Sequence, residues 1–157
     1  MVRTRNASSE EATAISLAIA DMLHSADIGY GTFLSLSVIA IALPNQEALR
    51  GCPACIFMQT NGIPKIVLDI DRIRKSNALT VYGIRLLLQH EALHFIFGHI
   101  GSRGEKCVEK YGDKVALIAF DLVVNQYVYP NKAAIERSPF LPVTIDLFDL
   151  PPNLTTE

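Results

Sequence analysis

The sequence predicts an α+β protein in which a small sheet, or hairpin, packs on one central helix and on further helices. Three observations lead there. Residues 55–70 read C-I-F-M-Q-T-N-G-I-P-K-I-V-L-D-I, two strand-like runs flanking Asn61-Gly62, a strong short-range hairpin signal. Three stretches, near residues 9–24, 77–99 and 113–127, carry apolar residues at helical spacing. Half of the 157 residues are hydrophobic and 19% are charged, enough core material for one ordinary globular domain.

Taken in order, Ser8 or Ser9 followed by Glu10 and Glu11 reads as a helix start, with a capping hydroxyl and acids in the first turn. Ile15, Ile19, Met22 and Leu23 continue that helix to about residue 24, where His24 suits the negative end of the macrodipole. Residues 28–31, with two glycines, read as a turn. Residues 33–43, partly β-branched and closed by Pro44, leave helix and strand both open. Pro64 suggests that the second hairpin run begins at a sheet edge. The helix expected over 77–99 buries Ile84, Leu87, Leu88, Leu93, Ile96 and Phe97. Residues 101–107, G-S-R-G-E-K-C, read as a loop. A further helix over 113–127 has Val115, Ile118, Ala119, Leu122 and Val123 as its core face.

From Ser138 onward, Pro139, Pro142, Pro151 and Pro152 point to an extended wrap. The last residues, N-L-T-T-E, look like a helix start cut short. The expected organisation is one domain over residues 1–150, with residues 151–157 opening a segment of a longer chain.

Composition excludes several classes. The formal net charge is −2 and like charges form no block, which argues against a nucleic-acid or anionic-membrane partner. The longest apolar stretch, 33–43, is broken by Ser35 and Ser37 and falls short of the about 20 residues a membrane span needs. The N-terminus is polar and unlike a signal peptide. Three cysteines, an odd number, fit a reducing cytoplasm, and a cytoplasmic location is expected. Cys52-Pro-Ala-Cys55 is a single C-x-x-C, a weak signal. Cys55 is expected on a buried strand, with Cys52 and Cys107 in loops.

The chemistry concentrates in residues 87–99, L-L-Q-H-E-A-L-H-F-I-F-G-H, which hold three of the four histidines. On a helix, His90 and His94 stand one turn apart, about 40° round in projection, and aim two imidazoles at one point. Glu91 lies about 100° round from His90, beside such a metal and not on it. There it suits a general base that takes a proton from zinc-bound water. This is the H-E-x-x-H arrangement of zinc metallopeptidases.

Two residues compete to complete the shell. His99 is nine positions from His90 and points away on a continuing helix. It returns toward the metal only if the helix breaks at Gly98, which a left-handed glycine cap allows. Asp121 sits in A-F-D-L-V-V-N, where a lone carboxylate among apolar neighbours asks for a metal, a backbone amide or an arginine. Asn125 follows one turn later, suited to hold the far nitrogen of a ligating histidine. Asp121 is favoured over His99. Asp69 and Asp71 read as a solvated strand end. Tyr111, Tyr127 and Tyr129 are candidate oxyanion donors among which nothing in the sequence selects.

The pattern H-E-A-L-H-F-I-F-G-H, then Arg103, then A-F-D-L-V-V-N resembles a bacterial metallopeptidase-like domain often found ahead of a von Willebrand factor A-like domain. The resemblance runs from about residue 54 to residue 142. It implies a zincin-like fold, with a small sheet, an active-site helix and a second helix carrying Asp121 and Asn125. It also implies that His99 and Arg103 matter to the site, where substrate-facing roles fit both, that the strand ending near Asp69 lies beside the cleft and pairs with an extended peptide, and that a C-terminal domain follows. Together these expectations describe a zinc-dependent hydrolase, a metallopeptidase in which Glu91 activates zinc-bound water to cleave a peptide or protein substrate. The alternative is a non-catalytic zinc domain acting as a protein-interaction module, with Asp121 and His99 both closing the shell. A metal-free helical domain is a weaker third reading.

Overall fold

The computed structural model describes residues 2–25, 28–44, 49 and 51–151. The expected helix start at residues 153–157 lies outside them. The chain gathers into two compact units, Met1–Ala92 and Leu93–Glu157, each described by itself below. Among the described residues no helix is long and apolar enough to cross a membrane.

The first unit combines a four-stranded sheet with helices. Strand β1 (Thr4–Arg5) leads to α1 (Ser9–Leu23) and α2 (Ile28–Ser35). Strands β2 (Val38–Ala42), β3 (Ala54–Met58) and β4 (Pro64–Leu68) follow, then α3 (Ile70–Lys75) and α4 (Val81–Ile96). The strand order is β1-β2-β4-β3, with β2 and β4 parallel and the two outer pairs antiparallel.

The Asn61-Gly62 hairpin forms, with Gly62 at φ +77° and the Asn61 side chain accepting from the Ile63 N–H at 3.1 Å. Its second run is not at an edge, however. Strand β4 lies between β2 and β3, and Pro64 is tolerated because it is the strand's first residue. With partners on both sides, β4 has no free edge for strand addition; the outer strands are β1 and β3. Its central position explains why Ile66, Val67 and Leu68 are all buried, a continuous run in place of alternation. Val67 packs with Ala42 and Leu49, and Val2 and Cys55 lie against that cluster.

Helix α1 starts with a capping box: Ser8 accepts from the Glu11 N–H, and Glu11 reaches back to the Ser8 N–H at 2.7 Å. The Glu11 carboxylate is buried and takes both Nη groups of Arg5, at 2.7 and 2.8 Å. His24 caps the other end, with Nδ1 2.7 Å from the Ala20 carbonyl.

Residues 28–31 belong to α2 and are not a turn, and the ambiguous 33–43 stretch divides into the end of α2 and β2. The long helix expected from 77 begins later. Asn77, at φ +53°, interrupts the chain after α3, and the Thr80 hydroxyl accepts from the Gly83 N–H to open α4. Asp69 is the N-cap of α3, accepting from the Arg72 N–H, and not a solvated strand end.

The second unit holds the last turn of α4, then α5 (Ser102–Tyr111), α6 (Asp113–Val128), α7 (Lys132–Glu136) and a 3₁₀ turn at Ile145–Phe148. Residues 101–107, expected as a loop, enter α5, which places Cys107 on a helix. Leu93, Ala116, Phe120, Val123 and Val124 are buried; Ile96 and Val115, expected in the core, are more than half exposed. The tail after Ser138 is largely irregular apart from the 3₁₀ turn and is fastened where the Asn125 side-chain N–H donates to the Val143 carbonyl at 2.8 Å.

Candidate metal centre

The two histidines of H-E-A-L-H stand one turn apart on α4, an unbroken helix that carries both across the boundary after Ala92. Helix α6 supplies Asp121. His90, His94 and Asp121 each offer one ligand atom, all within 4.8 Å of one another. His94 Nε2 lies 3.2 Å from Asp121 Oδ1. Two ligand atoms on bonds of about 2.0–2.1 Å at a tetrahedral angle are about 3.3 Å apart, a separation that two ligands of one ion and a plain ion pair share. A hydrogen bond between His94 and Asp121 would involve those two residues alone; His90 makes the group a convergent set of three donors.

The chemistry of the set suits zinc. Two imidazoles and a carboxylate leave a fourth position, whereas calcium and magnesium prefer shells made of oxygen. The Asp121 side chain is 40% exposed, which corrects the expectation of a buried carboxylate and leaves solvent access on that side. Glu91, between the two histidines in sequence, is buried.

His99 lies outside this group of three. Its Nδ1 faces the Nδ1 of His94 at 2.9 Å, on the opposite side of that ring from the nitrogen near Asp121. Gly98 is responsible, as the sequence allowed. At φ +71° it ends α4, the Gly98 N–H bonding to the Phe95 carbonyl and the His99 N–H to the His94 carbonyl, both at 2.9 Å. That pair of bonds is a Schellman motif, which folds the residue after the glycine back against the one five positions earlier.

Asn125 was expected to hold a ligating histidine's far nitrogen. At His94 that nitrogen faces His99, and the Asn125 side-chain N–H donates to the Val143 carbonyl.

The sequence reading passed over two residues that shape this corner. Phe120 stacks on the His99 ring, centroids 4.2 Å apart and planes 12° from parallel. Gly104, in the first turn of α5, lies so close to the His99 carbonyl that any Cβ would collide with it. A glycine inside an otherwise helical S-R-G-E-K was the available signal. Arg103 is exposed on α5, its stem lying where a Cβ on Gly98 would touch it. Of the three tyrosines, Tyr127 packs on Phe97, Tyr129 accepts from the Ser138 hydroxyl at 3.3 Å, and Tyr111 lies under the Lys110 ammonium.

The two cysteines of the C-x-x-C pair are not joined in a disulfide; Cys52 is exposed and Cys55 half-buried. Burial drives the Cys55 pKa well above the ordinary thiol range, and the charges of Glu91 and Cys52 add to that. Cys55 is therefore a protonated side chain and a poor nucleophile. Compared with protein-family models, curated proteins and solved structures, the chain matches nothing in any of the three.

Proposed function

We propose that the protein is a zinc-dependent hydrolase acting on peptide bonds, with His90, His94 and Asp121 as ligands and Glu91 as general base. The observation that carries this reading is the convergence of the three donors, with His94 and Asp121 already at 3.2 Å. Zinc held there would supply Lewis acidity and lower the pKa of water toward neutrality. Asp121 would offset part of the metal's charge, and its exposure would leave the site open to solvent. Glu91 takes the proton of the attacking water and returns it to the leaving amine; its burial keeps the carboxylate out of bulk water. The resemblance to metallopeptidase-like domains agrees with this chemistry and adds peptide as the substrate class.

The interaction-module alternative needs a closed shell with His99 as fourth ligand. The His94–His99 contact argues against it, because it engages the side of His94 remote from Asp121. Glu91→Gln tests the reading: bound zinc should remain while hydrolysis of a mixed peptide substrate falls by at least about 10²-fold, the usual share of a general base. Undiminished turnover in that variant would remove Glu91 from the mechanism.

A further inference from the structure

The Schellman turn after α4 does more than end a helix. In such turns the side chain after the glycine commonly makes an apolar contact with the residue five positions back. Here both positions are histidine, and the contact is a ring-to-ring hydrogen bond of 2.9 Å between two Nδ1 atoms. At that separation one nitrogen carries the proton and the other does not. When His94 uses Nε2 for a metal, its Nδ1 must carry a proton, and His99 Nδ1 is the acceptor that faces it.

We infer that His99 is a positioning residue that fixes the ring orientation and tautomer of His94, and so tunes the metal affinity of the centre. The inference rests on the zinc reading above. Three features hold His99 itself in place. Its ring is buried and stacked on Phe120, one residue before Asp121. The Phe97 ring lies tilted against it, centroids 5.8 Å apart. Gly104 admits the His99 carbonyl where any side chain would expel it. The stack links the orienting histidine to the helix that carries Asp121, so His94 and Asp121 are aligned through one contact. Partners of this kind, on the far nitrogen of a ligating histidine, are typically worth 10–100-fold in metal affinity.

The test compares wild type, His99→Phe, His99→Asn and His94→Ala. Phenylalanine keeps the stack and the volume but offers no nitrogen. Asparagine sets its amide at the place of the imidazole Nδ1, where it can accept or donate. Zinc affinity is read by competition with a chromophoric chelator. The His94–His99 bond is read as a ¹⁵N–¹⁵N coupling across it, in metal-free and zinc-loaded protein.

The coupling should appear in wild type, and His99→Phe should bind zinc about 10–100-fold more weakly while still reaching one ion per chain. His99→Asn should recover most of that loss, and His94→Ala should not bind at all. If wild type binds zinc and His99→Phe binds it equally tightly, the positioning role falls and the metal centre stands. A His99→Phe variant as empty as His94→Ala, with no rescue by asparagine, would make His99 a ligand and also overturn the role. A wild-type protein that takes no zinc would overturn the metal reading together with the role.

Discussion

At the scale of single residues, the centre depends on side chains whose partners can be named. Gly98 is one exacting backbone position. Its φ of +71° lies in the left-handed region, where a Cβ costs about 1–2 kcal/mol. Gly98→Ala should lower stability by about that amount in a denaturant titration. It should also weaken zinc binding, because the turn that brings His99 onto His94 is distorted. A variant as stable as wild type would show that the turn does not carry the strain assigned to it. The Glu11 carboxylate is strongly perturbed: hydrogen bonds from Arg5 outweigh burial and hold its pKa at about 2, with the Ser8 N–H assisting. Its contribution to stability is complete above its unfolded pKa of about 4.5 and is lost as pH falls toward 2. Glu11→Gln should therefore destabilise the protein at pH 7, by about 1.5–3 kcal/mol for hydrogen bonds to a charged group, and flatten the acid limb of its stability profile. An unchanged acid limb would place the transition on other carboxylates.

At the scale of elements, what the sequence disclosed and what it hid have physical reasons. The hairpin was legible because Asn61-Gly62 is chemistry specific to a turn, and α6 because its apolar run is long. Strand β4 read as an edge because Pro64 was weighed without its position; at the first residue of the strand its missing N–H does not break the ladder. Helices α2 and α5 were misread for one shared reason, since each carries two residues that normally punctuate loops. In α2 these are Gly29 and Gly31, in a segment whose helicity depends on packing against α1. In α5 they are Gly101 at the cap and Gly104, whose missing side chain is what lets the helix approach the His99 carbonyl. Ser8 gives the elements a direct check. Ser8→Ala removes the hydroxyl of the capping box and should cost about 1 kcal/mol in thermal or denaturant unfolding. No loss would mean that the Glu11 carboxylate alone holds the helix start.

At the scale of the whole molecule, two histidines on α4 and a carboxylate on α6 converge on one point, and the account stands or falls on what occupies it. The i, i+4 spacing made His90 and His94 legible, since a helix allows them only one mutual geometry. Asp121 was legible as a carboxylate out of place on an apolar helix. His99 was legible only as a competing ligand, because its place depends on the direction in which the chain leaves Gly98, and residue types alone leave that direction open. The most direct measurement is the zinc content and affinity of wild type beside His94→Ala and Asp121→Ala, by plasma mass spectrometry and chelator competition. One zinc per wild-type chain, lost in His94→Ala and strongly weakened in Asp121→Ala, is the result this account expects. A wild-type chain that remains empty when zinc is supplied, or an Asp121→Ala variant that binds zinc as tightly as wild type, would contradict it.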